Sequence, residues 1–199
     1  LITGAARRIG RRFALACAHA GADVVIHHAH SDSDAESLRA EITRAAKRAR
    51  PDIHVKAFTM VEIEHILNIA RKSEDEVFAE LREAGLGSCP GGGAEVLVDR
   101  VHKAVFREKQ GPQGWLDTAR KVQKAGFKMN ATMLYGHIER TEERVTHLIK
   151  LRELQDECGG FMAYIPLAFW PYHTDLENFG HVTTAHPDQR SIAGRRQVP

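Results

Sequence analysis

The chain has 199 residues, 43% of them hydrophobic and 27% charged, with a formal net charge of +2. That is an ordinary composition for a soluble globular protein with room for one good core or two small ones. The charge gives no electrostatic case for nucleic acid, and no apolar run approaches the roughly 18–20 residues of a membrane span.

No signal-peptide architecture is present. Cys17, Cys89 and Cys158 are too far apart in sequence for a disulfide framework or a local metal knuckle, so a reducing cytoplasm is the expected compartment. The basic run KRAR at 47–50 reads as the solvated end of a helix. Leu1 already lies inside an expected strand, so the start is read as truncated.

Residues 1–50 form the first expected domain, a strand–helix–strand–helix fragment of the Rossmann-like, doubly wound kind. LITGAARRIG is a short apolar run, a turn of small residues, and a periodic segment in which Ile9, Phe13 and Cys17 recur every four residues. A second strand covers 22–26. Ser33 and Glu36 make a capping box for a helix running to about Arg48. Gly4 permits a sharp turn, Gly10 permits close approach, and the helix start offers unpaired N–H groups to a phosphate.

TGAARRIG, VVIHHAHS and the capped helix together resemble the short-chain dehydrogenase/reductases, especially their pteridine-reductase-like branch. The resemblance implies NADP(H), with His27, His30 and Ser31 near the adenosine 2′-phosphate and Arg8 assisting. The YxxxK pair of that family is missing at Tyr135, Tyr164 and Tyr172, which leaves hydride transfer without its acid/base. The competing reading is a strand–helix layer that only packs on the rest. HHAH at 27–30 is not expected to hold a metal, because alternate strand residues point to opposite faces.

Residues 51–199 form the second expected domain. IHVKAF at 53–58 alternates like a strand. VEIEHILNIARK at 61–72 reads as a helix with Ile63, Ile66, Leu67 and Ala70 on one face. Ser73–Glu76 caps a further helix that ends at Gly85. LGSCPGGG is a strand and a glycine loop, and Trp115 to Lys124 a helix stopped by Gly126. A strand at 127–134 precedes a helix from Thr141 to Glu157, with Val145, Leu148, Leu151 and Leu154 along one side. FMAYIPLAF reads as a strand buried on both faces. His65 and His102 are expected at the surface, and Trp115, Phe127 and Trp170 in packing. The last nineteen residues are expected to be poorly ordered. Repeated strand–helix units mean an α/β fold with a parallel sheet, read here as a partial (β/α) barrel.

PGGGAEVLVDRV at 90–101, NATMLYGHIE at 130–139 and LRELQDECGGFMAYIPLAF at 151–169 resemble the aminofutalosine synthases over about residues 52–179. By that resemblance the intact enzyme belongs to menaquinone biosynthesis. It uses S-adenosylmethionine and a [4Fe–4S] cluster to add the adenosyl radical to 3-[(1-carboxyvinyl)oxy]benzoate. The CxxxCxxC triad that holds three irons of such a cluster occurs nowhere in the chain, so no metal site is expected.

The substrate half of the pocket is then sought at the C-terminal strand ends. Gly91, Gly92 and Gly93 would let backbone approach a nucleoside or carboxylate, with a tight turn as the structural alternative. Asn130 and Thr132 lie on the strand. His137 is placed to bond a ligand carboxylate and Glu139 to orient a ribose hydroxyl, against the alternative of a solvated loop or helix cap.

The chain is therefore expected to be an incomplete radical-enzyme fragment, with an NADP(H)-binding reductase-like protein or a non-catalytic chimeric fusion as the alternatives. The candidate partners are a small-molecule ligand and a second copy of the chain, because unpaired sheet edges imply either association or modest stability.

Overall fold

Thr59 opens the first well-formed helix with a reciprocal cap. Its hydroxyl accepts from the Glu62 N–H at 3.4 Å, while the Glu62 carboxylate accepts from the Thr59 N–H at 2.8 Å. Two donors that a helix start leaves over are thereby satisfied. The helix, α1 (Met60–Ile69), buries Met60 and Ile63. The expected partners Ile66, Leu67 and Ala70 are only half-buried.

The structure is a computed structural model. It describes residues 51–107, 109–172 and 177, and before residue 51 only residues 2–3, 12, 15–17, 20, 26–27, 44 and 47–48. β1 (Ile2–Thr3) and β2 (Ile26–His27) pair in parallel, Ile2 opposite Ile26. The later elements are β3 (Val55–Lys56), α1, α2 (Glu74–Glu83), β4 (Leu86–Cys89), α3 (Asp99–Val105), α4 (Pro112–Lys124), β5 (Lys128–Tyr135), α5 (Thr141–Cys158) and β6 (Phe161–Ala168).

The fold is α/β, built of parallel βα units. The four-stranded sheet has the order β3–β4–β5–β6, and β5 runs parallel to both its neighbours. Strands that follow one another in space as in sequence are the arrangement of a stretch of (β/α) barrel. The chain divides into two compact units, residues 1–55 with 76–87 and residues 56–75 with 88–199. In the first, Gly85 stops α2 with φ +98°, and a Cβ there would lie 2.7 Å from the Lys47 side chain.

The second unit carries the candidate site. Pro112 stands in the first turn of α4, where its missing N–H is not needed. Trp115, Leu116, Ala119 and Val122 recur along the buried side of that helix. Gly126 (φ +87°) ends the segment and turns the chain into β5. α4 and α5 both pack on β5, and α1 packs on α4.

The face of β5 that these helices cover carries Met129, Ala131, Met133 and Tyr135, all buried. Arg144 of α5 stacks on the Tyr135 ring at 5.3 Å, and His147 lies 6.3 Å from Tyr164 of β6. The opposite face carries Asn130, Thr132 and Leu134, in register with Ala163, Ile165 and Leu167 of β6.

Four expectations need correcting. β6 is not buried on both faces: Met162, Ile165 and Leu167 are exposed, and among the described residues no strand follows it in the sheet. The buried side of α5 is His147, Leu151 and Leu154, while Val145 is exposed. His102 is buried, not a surface residue, because it shares the inward side of α3 with Val101 and its Nε2–H donates to the Ala94 carbonyl at 3.1 Å. Trp170, two residues past the end of β6, is 65% exposed, with the Tyr172 ring edge-on to it at 5.2 Å. Trp115 and Phe127 are buried as expected.

The outer edge of β6 has a distinct chemistry. The Phe169 N–H donates to the Tyr135 carbonyl, so residues 163, 165 and 167 also aim their backbone groups at β5. Tyr164, Pro166 and Ala168 therefore face outward, and Pro166 offers no N–H there.

His147 is fully enclosed and accepts the Leu97 N–H on Nδ1 at 3.1 Å, so its one proton sits on Nε2. Burial pushes its pKa down to about 3. The unfolded chain therefore takes up a proton near pH 6.5 that the folded chain refuses until about pH 3. Stability from this group is complete above pH 6.5 and should fall below it, by up to about 1.4 kcal/mol per pH unit. Urea unfolding at pH 7.5, 6 and 5 checks this. His147→Gln, which still accepts from Leu97, should flatten the slope; an unchanged slope would refute the assignment.

Candidate functional site at the strand ends

The loop after β4 lies against β5 so closely that its first glycine has no substitute. A Cβ on Gly91 would sit 2.3 Å from the Asn130 carbonyl oxygen and 2.7 Å from its carbon. The Thr132 hydroxyl donates to the Gly91 carbonyl at 2.5 Å. A Cβ on Gly92 would meet Thr59 at 2.8 Å, and the Gly92 carbonyl accepts from the Trp115 Nε1–H at 3.2 Å. Gly93 has φ +92°, in the left-handed region that glycine enters without penalty. The same loop continues along β5, where the Leu134 N–H donates to the Glu95 carbonyl at 3.0 Å.

Two non-glycine residues beside these loops also have left-handed backbones, Phe58 (φ 63°) and Glu95 (φ 47°). They follow the C-terminal ends of β3 and β4. Such conformations cost about 1–3 kcal/mol each and collect where a loop must hold a specific shape.

Asn130 and Thr132 thus meet the glycine loop. A further residue joins them: Lys56, at the end of β3, donates through Nζ to Asn130 Oδ1 at 3.4 Å.

His137 and Glu139 form a second cluster in the turn that follows β5, which Gly136 opens with φ +94°. The Glu139 side chain is wholly enclosed. Its carboxylate accepts the Gly136 N–H at 2.7 Å, the His137 N–H at 2.9 Å and the Arg144 Nε–H at 2.8 Å. Burial alone would raise its pKa. The Gly136 N–H, the neighbouring His137 and its N–H outweigh that and hold it below the usual carboxylate range.

The His137 Nε2–H donates to the Leu134 carbonyl at 2.9 Å. Its ring lies edge-on to Phe106 and Phe169, with centroids 5.7 and 5.8 Å away. Burial pushes its pKa down despite Glu139. Its Nδ1 stands 3.4 Å from the Glu139 carboxylate. In this arrangement both residues brace the turn.

Of the residues singled out in the first fifty, Gly4, Arg8, Gly10, His30 and Ser31 lie outside the described residues. His27 is the second residue of β2, and its side chain is likewise outside the description.

The donor set does not suit an iron–sulfur cluster. Cys89 is fully buried and its thiol is pushed up to about 12, by burial first and by Glu62 second, whereas a cluster ligand must be a thiolate. Cys158 ends α5, and burial with Glu157 raises its thiol too. Among the described residues no three His, Cys, Asp or Glu side chains converge as a metal site. Nor is any helix among them long and apolar enough to cross a membrane.

Compared with the models of known protein families, the chain matches none. Among curated proteins, 159 residues are 46% identical to aminodeoxyfutalosine synthase of Thermus thermophilus, covering 78% of this chain and 43% of that protein. The two are homologous over that length. A second relative, the 5-amino-6-(D-ribitylamino)uracil–L-tyrosine 4-hydroxyphenyl transferase of Methanococcoides burtonii, is 35% identical over 139 residues. That match covers 70% of this chain and 39% of the transferase. One of the transferases of the same name in Methanosarcina barkeri is 38% identical over 136 residues, with 68% and 35% covered. The chain spans about two fifths of the length of the curated relatives it matches.

Proposed function

We propose that the second unit is the substrate-facing part of a radical S-adenosylmethionine enzyme of the aminofutalosine synthase kind. The observation that carries this reading is the 46% identity to a protein of that name. The glycine loop at the C-terminal end of β4, with Asn130 and Thr132 of β5 packed against it, supports it, since ligands of parallel βα folds collect at such strand ends. In this reading the reaction joins an adenosyl group to 3-[(1-carboxyvinyl)oxy]benzoate and takes place inside the cell.

The residues of this chain do not fit the four-iron cluster, so no step through that group is assigned to them. Their part is to bind and orient. Asn130 offers its side-chain amide, the Gly91–Gly93 backbone gives close access, and the turn braced by Glu139 and His137 holds the mouth in shape.

Two measurements test the proposal. Saturating 5′-deoxyadenosine or 3-[(1-carboxyvinyl)oxy]benzoate should stabilise the full chain, by about 2.7 kcal/mol at a hundred times the dissociation constant. Stabilisation by neither compound would sink the substrate reading. Anaerobic treatment with iron and sulfide should yield no four-iron chromophore; a well-formed one would overturn the argument from the cysteines.

A further inference from the structure

We propose that Lys56 and Asn130 form the anion-holding end of a ligand site whose apolar end is Ile165 and Leu167, and that the site takes a flat ring bearing a carboxylate. The inference deepens the functional reading above, since it rests on Asn130 and Thr132 facing the ligand.

The pairing register puts its parts on one surface. Asn130 lies opposite Ala163, Thr132 opposite Ile165, and Leu134 opposite Leu167, all on the side of the sheet away from α4 and α5. Neighbouring strands are about 4.8 Å apart, and same-face residues along one strand about 6.6 Å. A carboxylate at Asn130 therefore sets a six-membered ring over Ala163 and Ile165.

The donors are arranged for that anion. Among the described residues the side chain of Lys56 makes one hydrogen bond, the 3.4 Å contact to Asn130 Oδ1, which leaves the exposed ammonium further protons to give. Oδ1 is the acceptor in that contact, so the Asn130 amide nitrogen keeps its two N–H groups for a ligand. Thr132 does not compete, because its proton is committed to the Gly91 carbonyl.

The apolar end is exposed: Ile165 is 37% and Leu167 47% accessible. Ala163, between the polar and apolar ends, is small enough to let a ring lie flat. Lys128, on the same strand as Asn130, is a built-in control, since its ammonium donates to the Gly159 carbonyl at 2.8 Å.

The test is isothermal titration of the full chain with 3-methoxybenzoate and with its neutral isostere 3-methoxybenzamide. The acid should bind at least tenfold more tightly than the amide. Lys56→Met should lower affinity for the acid at least tenfold and leave the amide unchanged, whereas Lys128→Met should bind both as the native chain does. Unaltered urea midpoints would show that both variants fold. Native affinity in Lys56→Met, an equal loss in Lys128→Met, or no binding of the acid to the native chain would each overturn the inference. None of these results depends on 5′-deoxyadenosine, so failure here is distinct from failure of the nucleoside-joining reading.

Discussion

Glu139→Ala is expected to lower the stability of the second unit by about 3–5 kcal/mol, the usual consequence of removing one partner from an enclosed charge pair. The side chain is wholly buried, and three donors converge on it from Gly136, His137 and Arg144. Alanine leaves both backbone N–H groups without their acceptor and strands the guanidinium, which is itself only 22% exposed. Glu139→Gln keeps one acceptor oxygen and the side-chain volume, so it should cost less.

Urea unfolding followed by tryptophan fluorescence measures the difference, with the midpoint falling and the denaturant dependence unchanged. A loss below about 1 kcal/mol in Glu139→Ala would show that the turn does not rely on the carboxylate. Acid should imitate the mutation. The folded pKa of Glu139 lies below its unfolded value, so its contribution is complete above the unfolded pKa near 4.5 and disappears as pH falls through the lower, folded one.

Gly91→Val should be comparably severe for a different reason. Its Cβ alone would press to 2.3 Å on a main-chain oxygen of β5, and a strand paired on both sides cannot yield as a flexible side chain would. Overpacking of this kind costs about 1–3 kcal/mol and occasionally more, and valine belongs at the upper end. The displaced loop would also lose the Thr132 hydroxyl bond to the Gly91 carbonyl. The variant should therefore bind 5′-deoxyadenosine and 3-methoxybenzoate poorly even where it remains folded. Gly111→Ala is the control, because nothing lies within 4 Å of a Cβ at that position. Equal midpoints for Gly91→Val and Gly111→Ala would refute the close-contact argument.

The helices and the parallel sheet were legible because local signals agree with one another. The periodic apolar side of α4 is bounded by Pro112 and Gly126, and α5 closes on Gly159, whose φ is +66°. The glycine loop stands out in the sequence because three glycines follow the β4 segment, and Asn130 because it falls in the next strand, β5.

The errors came from features that depend on neighbours. A continuous apolar run such as FMAYIPLAF reads as doubly buried, but whether its faces are covered depends on what packs beside β6, and Met162, Ile165 and Leu167 are exposed. His102 was misplaced although Val98, Val101 and Val105 bracket it at helical spacing, a signal that could have put it inside. The Thr59–Glu62 cap was visible in the sequence as a threonine three places before a glutamate, and was missed. Lys56 could not be found. A polar residue in an alternating strand reads as solvated, and its partner is 74 positions away.

Pro166 bears on how the molecule behaves in a crowd. A terminal strand ordinarily invites any extended peptide to dock along it, rung by rung, and identical copies can then accumulate without limit. Here the ladder lacks a rung at mid-length, so a stranger's carbonyl arriving opposite residue 166 finds no hydrogen to accept. Any main-chain pairing along that side of β6 is interrupted at its middle, whichever chain it would come from.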